Sequence, residues 1–176
     1  MSLYDKYVLP KFLNCACASK PILRQRQKVV PLAEGKVLEI GIGSGLNLPF
    51  YEKSKIDEVW GLDPSEELSA MARIVADQES IEVNFISSGA EEIPLPDNHF
   101  DSVLITYTMC TIPEVLRANQ EIRRVLREDG KMIFCEHGEA PDENIRKWQK
   151  RINPFWGKIA GGCNINRKIP SLIQDS

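Results

Sequence analysis

The chain has 176 residues, with 22 Lys and Arg against 25 Asp and Glu and a net charge of −3; this is ordinary for one globular domain with a sizeable core. That mildly acidic balance gives no general pull towards nucleic acid, and no stretch reaches the ~20 apolar residues of a membrane span. Five scattered cysteines, an odd number, fit reduced thiols in a cytoplasmic protein and not a disulfide framework, and the early charges Asp5 and Lys6 argue against a secretory leader.

In chain order, Leu3, Tyr4, Tyr7, Val8, Phe12 and Leu13 recur at helical spacing, interrupted by Pro10, and a second helix is predicted from Pro21 to Val30. Residues 1–34 thus read as a helical segment ahead of the main domain, residues 35–176. A membrane-surface helix is the rival reading for the apolar residues at its start, disfavoured because the stretch is short and carries few cations. The basic run Lys20, Arg24, Arg26, Lys28 reads as a solvated helix face. Cys15-Ala16-Cys17 lacks the matching second Cys/His pair of a zinc site, so no metal site is expected.

Val37-Leu38-Glu39-Ile40 is a short apolar run that ends in Gly41, Gly43 and Gly45, a buried strand followed by a turn that lets a ligand approach the backbone. A P-loop would need Gly-Lys-Ser/Thr here, and Leu46-Asn47 follow instead. A dinucleotide turn would place its third glycine one position later, where Leu46 stands. An adenosine ligand with an amino-acid tail and no pyrophosphate fits E-x-G-x-G-x-G: the glycines lie under the tail and ribose, and Glu39 holds the turn's amides and reaches the ammonium through water. S-adenosylmethionine is such a ligand. Glu58-Val59-Trp60-Gly61-Leu62-Asp63 then reads as a second strand, with Asp63 about 20 residues on, where a ribose-binding acid is expected; a helix-capping role before Pro64 is the alternative.

Asn47 is predicted to cap a helix that begins Leu48-Pro49. Ser65 caps another, with Glu66 and Glu67 in its first turn and Leu68, Met71, Ala72 and Val75 as its stripe. Glu82–Ile86 is the third strand. Phe100–Ile105 is the fourth, with His99 on the surface just before it. Thr111 and Glu114 match a capping box for the next helix, which Asp129-Gly130 would end. Lys131–His137 is the fifth strand. A last helix from Asp142 carries Ile145, Trp148 and Ile152 on one side and breaks at Asn153-Pro154. Trp148, Phe155 and Trp156 read either as walls of an apolar pocket or as core.

VLEIGIGSGLNLPFY, GLDPSEEL, GAEEIPLPDNHFDSV and EIRRVLREDGKMIFCEHG resemble successive motifs of class I S-adenosylmethionine-dependent methyltransferases over roughly residues 36–138. The pattern is similar to the small-molecule branch with the ubiquinone/menaquinone C-methyltransferases and the methyltransferase-like thiol or phospholipid methyltransferases; RKWQKRINPFWGKIAGGCNINR and LRQRQKVVPLAEGKVLEIGIGSGLNLPFY resemble the thiol or phospholipid methyltransferases in particular. The resemblance implies an α/β fold with a doubly wound, mostly parallel Rossmann-like methyltransferase sheet, here short of the complete C-terminal strands, since only 14 residues follow Gly162. It implies S-adenosylmethionine as cofactor, residues 1–34 as a lid, and Thr106 beneath the sulfonium. Ala90 and Glu91 fall by the adenine, with Gly89 in place of the usual Asp. The Asn/Asp-Pro-Pro-aromatic element of base-amine methyltransferases is missing after the fourth strand.

Methyl transfer needs no catalytic triad. His137, at the carboxyl end of the fifth strand, is the candidate general base. The expected function is S-adenosylmethionine-dependent methyl transfer to a small apolar or amphipathic acceptor: a thiol, a phospholipid amine or a quinone-like ring. The alternative is a catalytically silent S-adenosylmethionine-binding domain. The oligomeric state has no signature in the sequence.

Overall fold

A computed structural model describes Tyr4 and residues 7–174; Leu3, Asp5 and Lys6 lie outside the described residues. Helix α1 spans Leu9–Cys17 and α2 spans Lys20–Val29. The strands are β1 (Gly35–Ile40), β2 (Ile56–Leu62), β3 (Val83–Ile86), β4 (Phe100–Thr106) and β5 (Leu126–Cys135). The later helices are α3 (Glu66–Glu79), α4 (Val115–Val125), α5 (Glu143–Ile159) and α6 (Ile169–Gln174).

Among the described residues the strands form one all-parallel sheet in the order β3-β2-β1-β4-β5. A parallel sheet covered on both faces needs strands that are apolar throughout, and Val37, Leu38 and Ile40 of β1 are buried to within 1%. One core forms around Leu38, Phe100, Val103, Ile105 and Ile122, the other around Val37, Leu48, Val59, Ala72 and Leu104. Adjacent residues of β1 and β4 fall into different cores, as alternation across a sheet requires.

The register decides where a ligand can lie. Ile40 pairs with Leu62 on one side and Ile105 on the other, and Leu62 with Ile86, so β1, β2 and β3 end at one level. Gly41 and Ile42 both donate to the Leu62 carbonyl, and Asp63 donates to that of Ile86. The chain direction reverses its lateral spread between β2 and β4, on either side of β1, and at such a switch the carboxyl ends of the strands leave a crevice.

Several local expectations change. The residues after Asn47 form only a 3-10 turn, Leu48–Phe50, without an Asn47 side-chain cap; that amide is drawn into a buried network described below. No capping box starts α4: Thr111 donates to the Thr108 carbonyl, and Glu114 at the N-cap makes no cap bond. Asp129-Gly130 does not end α4, which stops at Val125; these residues lie in β5, where pairing jumps from Phe100↔Leu126 to Ser102↔Lys131. Pro154 does not end α5, which continues to Ile159. The cost of an interior proline is ~3 kcal/mol, and Asn153 helps hold the turn by accepting from Ile165 N at 2.9 Å. His99 is half-buried, edge-on to Phe100 at 5.0 Å. Trp148 and Phe155 lie in neither of the expected roles, at 62% and 72% exposed on the solvent side of α5, whereas Trp156 meets Phe12 edge-on.

Ser65 caps α3 as expected, accepting from Leu68 N at 3.2 Å. After α5 the chain forms no sixth or seventh strand among the described residues; α6 instead packs against α4, where Asn119 donates to the Leu172 carbonyl. No helix among them is long and apolar enough to cross a membrane.

Candidate functional site

Gly41, Gly43 and Gly45 all adopt positive φ, at +68°, +54° and +79°. That backbone costs other L-residues about 1–2 kcal/mol each. At Gly41 a side chain is excluded outright, because a Cβ would lie 2.3 Å from Thr108 Cγ2. At Gly43 it would meet only the Gly41 carbonyl, at 3.8 Å, so this face of the turn is open.

Two cavities lie against the turn. The larger, about 390 Å³, runs past Asp63, Pro64, Leu68, Ala90, Glu91 and Ile112, within the ~300–1,000 Å³ of small-molecule sites. The smaller, about 140 Å³, is bordered by Ser44, Arg26, Cys17, Thr106 and Tyr107. They share Leu13, Gly41, Asp63, Leu68, Thr108 and Thr111, so Asp63 and the glycine turn stand at the junction. Helix α1 covers both, with Leu9, Pro10 and Leu13 over the larger and Leu13, Asn14 and Cys17 over the smaller. It is tied down by Ser44 Oγ, which donates to Asn14 Oδ1 at 2.7 Å.

The Asp63 carboxylate accepts from Gly43 N at 2.9 Å and Ser65 N at 2.8 Å. It thus fixes the glycine turn against the start of α3. Burial pushes its pKa above the usual carboxylate value, opposed by these two N–H donors.

Glu39 is placed differently from expectation. It is 1% exposed and borders neither cavity. Its oxygens accept from Asn47 Nδ2 at 2.9 Å and Tyr51 Oη at 2.8 Å, so it supports the turn through the Asn47 side chain and not through the turn's amides. The network continues: Arg26 donates to Asn47 Oδ1 at 2.7 Å and Thr106 Oγ1 at 2.6 Å, and Asn47 donates to the same Thr106 oxygen. Thr106 therefore borders the smaller cavity with its hydroxyl oxygen shared between Arg26 and Asn47. Arg26 is buried, not a solvated helix charge as expected, and its guanidinium lies 5.1 Å above the Tyr107 ring, a cation–π arrangement. Its Nε is buried without a hydrogen-bond partner among the described residues.

Burial pushes the Glu39 carboxyl up to about 7, opposed by Tyr51 and Asn47. A carboxyl raised in the folded state costs nothing below its unfolded pKa, where both states are protonated. The cost grows as pH rises through that value and levels off above about 7. Stability should accordingly fall between about pH 4.5 and 7 by up to ~3 kcal/mol, and Glu39→Gln should flatten that slope. Urea unfolding at three pH values across the interval measures it; an unchanged slope in the variant would show that Glu39 does not set it.

His137 borders neither of these cavities. It lines a third, of about 400 Å³, with Glu136, Glu139 and Lys168. Its ring lies parallel to that of Tyr107, 6.3 Å away, and its Nε2 is 3.5 Å from Cys163 Sγ.

Arg26, Asn47, Tyr107 and Cys17 were not legible as site residues in the sequence. Tyr107 carries the one local signature, a non-glycine φ of +55° directly after β4; for the others the contacts span 8 to 80 positions.

Residues 38–134 match the methyltransferase domain family. The chain is 31% identical over 150 residues to the thiol S-methyltransferase TMT1B of Homo sapiens, covering 82% of this chain and 61% of that protein. It is 30% identical over 162 residues to the demethylmenaquinone methyltransferase of Thermus thermophilus, covering 86% and 74%. In structure it is similar to the YcgJ protein of Bacillus subtilis, with a TM-score of 0.72 at 24% identity over 87% of this chain and 66% of that one. The chain thus spans about three fifths of the human relative's length.

Proposed function

Since the chain belongs to the methyltransferase domain family, matched over residues 38–134, we propose that its joined cavities bind S-adenosylmethionine and present the methyl group to a small thiol. The observation that carries this reading is the position of Asp63 and the glycine turn between an apolar cavity flanked by Ala90 and Glu91 and a smaller one beside Arg26.

The residues present suit that cofactor. Asp63 would take the ribose hydroxyls, while Ala90 and Glu91 would flank the adenine. Gly41 and Gly43 border the smaller cavity and leave the backbone bare for the amino-acid tail, whereas Gly45 borders neither cavity and lets the turn pack against Ala72 and Leu48, each 3.0 Å from where a Cβ would stand; Arg26 offers a cation and the unpartnered donor Nε for a carboxylate. When bound, S-adenosylmethionine supplies a methyl group already activated by the positive sulfur, so the protein has only to orient the acceptor and exclude water. Thr106 holds Arg26 and Asn47 in place at that end. Residues 1–34 act as the lid through α1, latched by the Ser44–Asn14 bond. Ser44→Ala should weaken cofactor binding roughly 2–10-fold, the scale of one neutral hydrogen bond, and speed protease cleavage in α1; an intact latch by both measures would remove the lid role.

The acceptor follows from charge. Among the described residues Arg26 and Asp63 are the charged ones bordering the smaller cavity, and in this reading Asp63 is committed to the ribose and Arg26 to the tail carboxylate. An ammonium acceptor therefore finds no free carboxylate there, whereas a thiol needs no charged partner from the protein. The chain's part would be to hold the acceptor sulfur in line with the activated methyl group and exclude water, the thiol proton leaving to solvent. A thiol of ordinary pKa, about 8.5, ionises without a protein base, and His137 stays outside the proton path.

Calorimetry with S-adenosylmethionine, followed by single-turnover transfer of labelled methyl to a small thiol, a primary amine and a quinol, tests this reading. Transfer to the thiol alone is expected. Transfer to the amine instead would overturn the acceptor, and binding without any transfer would leave the silent domain as the better account.

A further inference from the structure

We propose that Cys110, His137 and Cys163 form a binding site for a soft divalent metal ion of the zinc class, with both sulfurs and the imidazole Nε2 as ligands. The three residues come from three separate places: the loop after β4, the end of β5 and the turn after α5. Their ligand atoms lie within 4.8 Å of one another.

The spacing suits the ion. Bonds of about 2.3 Å to sulfur and 2.0–2.1 Å to nitrogen give a tetrahedron with S···N edges of about 3.5–3.6 Å and an S···S edge of about 3.8 Å. Cys163 Sγ and His137 Nε2 are already 3.5 Å apart. The ligand set is sulfur and nitrogen without oxygen, which selects zinc-like ions over magnesium or calcium. Three protein ligands leave a fourth position for water or an added thiol, the pattern of open zinc sites.

The surroundings hold the cluster together without the ion. Asn164, next to Cys163, donates to the Cys110 carbonyl through both its backbone N–H, at 2.9 Å, and its side chain, at 3.2 Å. Asn153 accepts from Ile165 N, and Trp156 and Ile165 pack against the buried cluster that Cys110 and Cys163 form with Ala160. A separate observation points the same way. Glu136 Oε2, on the residue before His137, is buried with no hydrogen-bond partner among the described residues. A buried carboxylate oxygen without a hydrogen-bond donor is costly, and a dication held by the adjacent His137 would offset that cost.

Binding would release the thiol protons to solvent as the metal–sulfur bonds form, with no oxidant or reductant required. The site stands whatever the methyl acceptor proves to be.

The test uses the full chain, purified under reductant, stripped with chelator and titrated with Co²⁺ and then Zn²⁺. One Co²⁺ per chain is expected, with the visible absorption of a tetrahedral ion, thiolate charge-transfer bands in the near ultraviolet, and displacement by Zn²⁺. Cys110→Ser, Cys163→Ser and His137→Ala should each weaken binding by more than the roughly 10–100-fold that changes to outer partners cost. Cys15→Ser should leave the bands unchanged. Because a serine variant can fail to fold, circular dichroism of each metal-free variant is compared with the metal-free parent. His137→Cys, which preserves the ligand count, should retain one Co²⁺ with a shifted spectrum. Absence of thiolate bands in the parent, their persistence in the Cys110 or Cys163 variants, or a Cys110–Cys163 disulfide in unreduced protein without metal uptake would each overturn the site.

Discussion

Gly41→Ala should lose measurable S-adenosylmethionine binding and about 2–5 kcal/mol of folding stability. The stability loss has two parts: about 1–2 kcal/mol for a left-handed L-residue and ~1–3 kcal/mol for overpacking. The second arises because the new Cβ would overlap Thr108, with Cγ2 at 2.3 Å and Oγ1 at 2.4 Å. Thr108 cannot simply withdraw, since its backbone N–H is bonded to Glu136 Oε1 at 2.7 Å, and it borders both cavities. Gly43→Ala is the informative partner. Its Cβ would meet only open space, so the stability loss should stay near 1–2 kcal/mol while binding falls at least as far, because that space is where the amino-acid tail is placed. Urea unfolding and calorimetry on both variants separate the two effects. A Gly43→Ala protein that binds the cofactor like the parent would show that the ligand does not lie over the turn.

Asp63→Ala should weaken cofactor binding about 10–150-fold, which corresponds to the 1.5–3 kcal/mol of hydrogen bonds to a charged group. Two losses contribute. The ribose hydroxyls lose their acceptor, and Gly43 N and Ser65 N lose theirs, so the glycine turn is no longer tied to the head of α3. Asp63→Asn keeps a carbonyl oxygen for one of those donors and should recover part of the loss. Calorimetry on the pair, with thermal unfolding as the folding control, reads the difference. Unchanged affinity in the alanine variant would place the ribose elsewhere. An equal loss in both variants would assign the effect to the charge, and a near-complete recovery in asparagine would assign it to the loop tether.

Much of this architecture was legible because it depends on neighbours in sequence. Val37–Ile40 and Phe100–Ile105 are apolar runs of strand length between turn residues. Ser65 with Glu66 and Glu67 announces a helix start, and the glycine spacing separates an adenosyl ligand from a phosphate loop. Errors clustered where tertiary contacts outbid a local motif. Asn47 looks like a cap, but its amide is worth more linking Glu39, Arg26 and Thr106 in a dry interior, where an unpaired polar group is costly. Thr111-x-x-Glu114 has the spacing of a capping box, yet Thr111 is held by the Thr108 carbonyl. Pro154 looks like a helix stop, but the segment is held from both sides.

By itself the sequence determined the order of the five strands and of the helices between them at Ser65 and before β5, the parallel sheet that order implies, the bare turn after β1 and the acid after β2, but neither the 3-10 turn after Asn47 nor α6. Each follows from the periodicity or backbone freedom of consecutive residues, and those are properties of a short segment. Only the tertiary structure decided that Arg26 is buried beside Tyr107, that Glu39 serves the turn through Asn47, that α1 covers both cavities, and that Cys110, His137 and Cys163 meet. These depend on the level at which the strands end and on loops closing across tens of residues. Such contacts form only once the sheet has brought the carboxyl ends of its strands to one edge.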